Sequence, residues 1–371
     1  MRTALLVVAI GMLAAPLGAF AQAESSFEES TFLAEVESVG ASGTRTVEGT
    51  DLTETYQELR VRIIQGAREG EVVSFENATP TQLSEGDRFY LHREPGIFSE
   101  GDIWSVWDPD RSGVLLMLVA LFVLVSVAVA GMAGVRSLIA LATSFALIIF
   151  GLVPALSSGF SPVITSIGFG ILILALSMFV THGVNRPTVV ALLGSFAALI
   201  VAAVLAQLSV TAAKLSGIAS DEAAYLSFAT AGSIDLIGLL LGGILVGIIG
   251  VLNDVSVSQV HTVAELYDAN PELSPARVWK KAMRVGREHM GAVINTLPLA
   301  YAGVSLPLLL LFSGSTAPFT FIVNREVFAV EIIRALAGSI GLMLSGLVAT
   351  ALAVWLLAPK RPMLSSKDTS K

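Results

Sequence analysis

Two periodicities divide the chain. Between residues 24 and 112 apolar and polar positions alternate; beyond that, apolar runs of about 17 to 23 residues follow one another. In Gln57-Glu58-Leu59-Arg60-Val61-Arg62-Ile63, the apolar Leu59, Val61 and Ile63 share one face, and Glu58, Arg60 and Arg62 the other. A period of two predicts a half-buried strand. Phe32 to Val39, Glu71 to Phe75 and Asp87 to His92 are further strand candidates, separated by Gly40, Gly43, Gly66, Gly70, Pro80 and Gly86-Asp87 as turn signals. Short strands so closely spaced predict a small all-β domain, a barrel or sandwich of OB-like kind. Asn77-Ala78-Thr79 is a sequon, and His92 stands alone, so a surface role is expected of it rather than a ligand role.

The apolar runs are Val114 to Met132, Ser137 to Val153, Pro162 to Val180, Val189 to Leu208, Ile234 to Leu252, Met290 to Phe312 and Ala335 to Leu357. Each matches a hydrocarbon core of about 30 Å at ~1.5 Å per helical residue. The fold class expected is therefore a membrane α-helical bundle of seven transmembrane helices (residues 113–358), preceded by the exported β-rich domain (24–112) and followed by a cytoplasmic tail (359–371). Trp104 and Trp107 stand just before the first run, where amphipathic aromatics favour the headgroup layer. Two outer connections, Thr211 to Ser227 and Phe321 to Glu331, read as short amphipathic pieces.

Residues 1–23 read as a signal peptide: Arg2, an apolar stretch from Ala4 to Phe20, then Ala19-Phe20-Ala21 and Ala21-Gln22-Ala23 as small-x-small cleavage patterns. An uncleaved signal-anchor is the alternative. Either form puts the following segment outside the cytoplasm.

Charge supports this layout. Glu24 to Ser112 carries 19 acidic and 7 basic residues, whereas the rest of the chain carries 11 and 15. An acidic exported segment argues against nucleic acid, whose affinity comes from cations meeting phosphates. Alternation from an outside start puts Arg136, Arg186, Arg277, Lys280, Lys281, Arg284, Arg287 and the tail's Lys360, Arg361, Lys367 and Lys371 inside. Lys214, Arg325 and Arg334 fall outside. Basic residues in short loops mark the cytoplasmic side, so the C-terminus is expected there, in a multi-pass protein of the cell membrane. The chain has no Cys, which rules out thiolate metal sites and disulfides. No Walker loop, HExxH or GxSxG is present. No catalytic, cofactor or metal site is expected, and no enzymatic role.

Polar residues near or inside the apolar runs carry the functional expectation. Beyond Gly238, Gly242, Gly243 and Gly247 in the fifth run come Asn253 and Asp254. If the helix continues, Asp254, Ser258, His261 and Glu265 line one face at i, i+4, i+7 and i+11. That line suits a cation or a proton relay; equally, it is what the wet side of a helix leaving the bilayer looks like. In the sixth run Asn295, Pro298 and Tyr301 are expected to face a neighbour or a cavity, with Pro298 freeing the Ile294 carbonyl. Asp235 reads as a helix-starting acid, and Glu331 with Arg334 as a local ion pair.

The stretch Gly247-Ile-Ile-Gly-Val-Leu-Asn-Asp-Val-Ser-Val-Ser-Gln-Val-His-Thr-Val-Ala-Glu-Leu266 resembles the signature region of the YibE/F-like bacterial membrane proteins. So do Gly286 to Gly303, Gly183 to Thr188 and Arg334 to Gly341. The resemblance spans nearly the whole chain and implies a multi-pass cell-membrane protein without an established activity. The family's pattern often has a second Asp where Asn253 stands here, so the resemblance does not carry a carboxylate pair over to this chain. Two readings of function remain. One is a transporter or permease for an ion or small solute, with Asp254 as acceptor and Asn295 and Tyr301 in the same cavity. The other is a non-transporting membrane scaffold or assembly factor whose exported acidic domain binds a protein partner. An intramembrane hydrolase using Asp254 and His261 ranks last, because two turns separate the pair by about 10 Å.

Overall fold

The computed structural model describes residues 30–46, 49, 53–95, 102–294 and 296–359. The expected signal segment (1–23), Asn295 and residues 360–371 of the expected tail lie outside the described residues. The chain forms two compact units, Met1–Ala128 and Val129–Lys371.

The first unit holds one antiparallel sheet of five strands, ordered β3-β2-β1-β4-β5: β1 (Thr31–Thr46), β2 (Thr53–Gln65), β3 (Val72–Asn77), β4 (Arg88–Pro95) and β5 (Asp102–Pro109). The alternation in β2 is realised: Leu59, Val61 and Ile63 are buried, and Glu58, Arg60 and Arg62 are exposed. Opposite them Phe32, Ala34 and Val36 of β1 and Phe89 and Leu91 of β4 complete the core. Register slips between Val36 and Ser38 and between Val39 and Ser42 let the long β1 bend. Among the described residues there is one sheet rather than a two-sheet sandwich. Its edge strands β3 and β5 approach each other without a described ladder between them.

β5 was not among the expected strands, and it contains the two tryptophans. Trp104 and Trp107 belong to a strand paired with β4. Trp104 lies 6.1 Å from Phe32, under the Arg68 guanidinium at 5.7 Å. Trp104 therefore completes the small β core. Trp107, half exposed, meets the His92 ring edge-on at 4.5 Å. Asp102-Ile-Trp-Ser-Val-Trp does alternate, but its proximity to the first apolar run suggested an anchor instead. Asn77 of the sequon is buried, donating to the Thr81 carbonyl and accepting from Thr79, so its amide serves the turn.

The helices are α1 (Ser112–Leu147), a wide π turn (Ile148–Leu152), α2 (Val153–Ser157), α3 (Pro162–His182), α4 (Arg186–Ala212), α5 (Asp221–Ala229), α6 (Leu236–Ala269), α7 (Pro275–Val293), α8 (Thr296–Val304), α9 (Leu306–Ser313), α10 (Phe319–Asn324) and α11 (Glu326–Leu356). Among the described residues five segments are long and apolar enough to cross a membrane: Ser112–Ser157, α3, α4, α6 and α11. A sixth arises if α7–α8 and α9, bent by 65°, count together. The first two expected runs fall within the single 46-residue segment Ser112–Ser157. It is interrupted at Gly131, whose φ of 56° and ψ of −135° no helix sustains. The sixth expected run is also redrawn. Its helix starts at Pro275, not Met290, because Val278, Ala282, Met283, Gly286 and Met290 form a buried stripe that periodicity in the apolar stretch alone did not reveal. Short helices α5 and α10 replace the expected amphipathic connections.

The core of the second unit is α6, packed between α3, α4 and α11. Small residues set the close approaches. A Cβ on Gly194 would lie 2.8 Å from that of Ala349, and one on Gly341 2.9 Å from that of Ala202. Helix packing in lipid relies on such contacts. At one end Glu326 ties three segments. Its carboxylate accepts from Ser216 N at 2.7 Å, Gly217 N at 2.8 Å and the Ser216 hydroxyl, while Gly217 (φ 83°) presses against the Leu236 backbone.

Candidate functional site

α6 continues without interruption from Leu236 to Ala269. Asp235 caps it, accepting from Gly238 N at 3.0 Å. The continuation settles the geometry of the polar line: Asp254, Ser258, His261 and Glu265 are all exposed, on one face. The opposite face of the same turns is buried. There Val257, Val260, Val263 and Tyr267 pack with Met178 of α3, Val190 and Ala191 of α4, Val278 and Ala282 of α7, and Ala349, Ala353 and Val354 of α11.

Those partners locate the line along the bundle. Gln259 is fully buried and accepts from the Thr350 hydroxyl at 3.0 Å. The Tyr267 hydroxyl donates to the Val354 carbonyl at 3.0 Å. Thr350 stands six residues before the end of α11 at Leu356, about 9 Å along the axis. Asp254 to Glu265 therefore lie beside the last apolar turns of α11 and the first of α4, not beyond them. Length from Ile234 alone put the apolar part of this helix to an end near Leu252; the lateral neighbours extend it.

A hydroxyl relay fastens α6 at this level. The Ser256 hydroxyl meets that of Ser345 at 2.6 Å; Ser345 in turn donates to the Leu252 carbonyl at 3.2 Å, which also accepts from Ser195 at 3.2 Å. Three helices thus converge on one carbonyl. All these hydroxyls are buried, and each has a partner, as buried polar groups require.

Two elements flank the exposed line. The His182 ring at the end of α3 lies 5.8 Å from that of His261. His289 of α7 is within electrostatic range of Asp254. A shallow, open surface runs along α6 itself, bordered by Val257, Ser258, His261, Thr262, Glu265 and Leu266. Asn253 turns toward the protein instead: its amide nitrogen reaches Asp254 at 3.5 Å, and its oxygen is buried without a partner. Among the described residues no group of three or more His, Cys, Asp or Glu is gathered as metal ligands would be.

Tyr301 is elsewhere. Its hydroxyl faces Gly247, where a Cβ would come within 3.0 Å, two turns of α6 or about 10 Å from Asp254. Its ring lies under the Arg334 guanidinium at 5.7 Å. Arg334 pairs with Glu331 at 2.9 Å, and its Nε is buried without a partner. The local ion pair on α11 is therefore real, and it forms a second polar cluster with Tyr301. No local sequence pattern signals that cluster, because it needs the α8 to α11 packing. Asn295, between α7 and α8, lies outside the described residues.

Comparison with known proteins returns no curated protein and no solved structure that matches this chain. The family model described as YibE/F-like protein matches residues 118–359, which include every helix from α2 to α11 and the whole of the polar line. By that match over most of its length, the chain belongs to the YibE/F-like family of membrane proteins.

Proposed function

We propose that the protein moves an ion or small solute across the cell membrane along the polar face of α6, with Asp254 as the cation or proton acceptor. The supporting observation is the line Asp254, Ser258, His261 and Glu265, exposed beside helix turns whose other neighbours are apolar. Carboxylates and an imidazole facing lipid at that level would be costly, and intramembrane ionisable groups ordinarily line a wet path. The open surface along Ser258, His261 and Glu265 leaves that face of α6 accessible to water. Tyr301 and Arg334, about 10 Å further along, then form a second polar station near the other end of the path.

The same reading includes seven crossings. The segment Ser112–Ser157 has 46 residues, about 69 Å of helix and more than twice the hydrocarbon thickness. A break at Gly131 divides it into two lengths that each suffice. With the β domain exported and the C-terminus inside, the exposed basic residues of α7 are cytoplasmic. The strand order β3-β2-β1-β4-β5 with its edges in contact supports a partly open OB-like barrel. We read no catalytic role into the chain.

The test is flux into proteoliposomes across monovalent cations, divalent cations, protons and small anions, for wild type and Asp254→Asn. The variant keeps size and polarity and removes the charge. Loss of a hydrogen bond from the substrate to a charged group, about 1.5–3 kcal/mol, predicts a drop of roughly tenfold or more for one substrate. Equal flux by folded wild type and variant for every solute would leave the scaffold reading instead.

A further inference from the structure

The transport reading places no substrate group on α7, yet this helix has the sharpest division of faces among the described helices. Its buried stripe, Val278, Ala282, Met283, Gly286 and Met290, is fully used against α6 and α11. Gly286 abuts the Gln259 side chain, and Met290 packs with Val255 beside Gly346. α7 is thus held lengthwise along α6, running antiparallel to it. The other face carries Arg277, Lys280, Lys281, Arg284 and Arg287, all exposed. Among the described residues none of these cations is in an ion pair, although the acids Glu265, Asp268, Glu272 and Glu288 are close in sequence. The helix carries five Lys and Arg against the single Glu288.

The register fixes the height of these cations. Arg287 follows Gly286, which is level with Gln259 and so with Thr350, about 9 Å inside the end of α11. Arg277 lies ten residues, about 15 Å, further out. The stripe therefore straddles the last turn of α11, the level where apolar helices give way to headgroups. Charges at its inner end have long stems that let them snorkel outward. Val285, half exposed beside Arg284, offers an apolar contact next to the cations. A cytosolic polyanion would contact only the outer end of such a stripe; a phospholipid reaches all of it, phosphate to the cations and chain to the apolar flank.

We infer that the basic face of α7 is a binding site for anionic phospholipid headgroups. The bundle presents it as a fixed surface, and its occupant is a negatively charged lipid of the leaflet that α7 faces. Lysine and arginine clusters on amphipathic helices at membrane borders bind such lipids by charge attraction and are weakened by salt. The inference stands whether or not the protein transports anything.

The experiment uses the full chain in nanodiscs of phosphatidylcholine with and without phosphatidylglycerol. It reads lipids retained through delipidation by native mass spectrometry, and the thermal midpoint in each lipid. Wild type should retain phosphatidylglycerol in preference to phosphatidylcholine and melt higher in its presence. Replacing all of Arg277, Lys280, Lys281, Arg284 and Arg287 by Gln should abolish both effects. The milder pair Lys280→Gln/Arg284→Gln, which leaves three cations to maintain orientation, should reduce retention by about fivefold per charge removed. Inorganic phosphate at millimolar concentration should not displace the lipid. No preference in wild type, an unchanged preference in either folded variant, or displacement by phosphate alone would overturn the proposal.

Discussion

Hydroxyls of single residues hold the bundle where apolar packing alone would leave register free. The Leu252 carbonyl receives hydroxyls from Ser195 and Ser345, and Ser345 also receives that of Ser256. Removing Ser345 leaves Ser256 without an acceptor on α11. Interhelical hydrogen bonds in lipid contribute about 0.6 kcal/mol on average and up to roughly 1.7 kcal/mol. Ser345→Ala should therefore destabilise by about 1–2 kcal/mol, read from reversible unfolding in mixed micelles, and Ser195→Ala by less. At the start of α1, Ser112 hydrogen-bonds the Asp110 carboxylate, its backbone N at 2.9 Å, and holds that acid below the usual carboxylate range. A depressed folded value means that the helix start gains stability above the ordinary Asp range and loses it as pH falls through the lowered value. A carbon-detected NMR titration of Asp110 should show the low midpoint, rising in Ser112→Ala. Ser195, Ser256 and Ser345 were visible in the sequence, but their partners were not, since the interhelical bonds join residues more than 50 positions apart.

Elements were legible wherever one periodicity dominated. β2 alternates cleanly, and the runs that became α3, α4 and α11 carry no charged residue over spanning length. α7 was not, because a basic amphipathic helix looks like a cytoplasmic loop until its buried stripe finds α6. β5 was missed because its tryptophans have two physical uses, as strand residues and as interfacial anchors, and local sequence does not choose between them. The tie at Glu326 is likewise invisible in sequence, joining segments 110 residues apart. Replacing Glu326 by Ala leaves Ser216 N and Gly217 N without their acceptor, at about 1–3 kcal/mol for a charged acceptor. Gly217→Val should be worse, since its Cβ would meet the Leu236 backbone at 2.6 Å in a left-handed conformation. Limited proteolysis between α4 and α5 reads both: faster cleavage in each variant is expected, and unchanged cleavage in both would show the tie to be dispensable.

At the scale of the whole molecule, the sequence could state the polar line but not its surroundings. A line at i, i+4, i+7 and i+11 is equally a transport path and a wet cytosolic helix. What stands beside the line is Thr350 and Val354 of α11 and Val190 of α4; the transport reading takes these turns as lying within the bilayer. Ser258 on the line and Ala351 on α11 flank the Gln259–Thr350 bond, so they share a height on different helices; both are exposed. The chain has no Cys, which makes this pair directly measurable. Single Cys substitutions at Ser258 and Ala351 should be exposed to a membrane-impermeant maleimide from the cytoplasmic side in intact membranes. The account predicts rapid labelling at Ser258→Cys, where water reaches the thiol, and protection at Ala351→Cys, where lipid covers it. Equal labelling of the two would put this height outside the bilayer, and equal protection would mean the face of α6 is sealed; either result contradicts a wet path along α6.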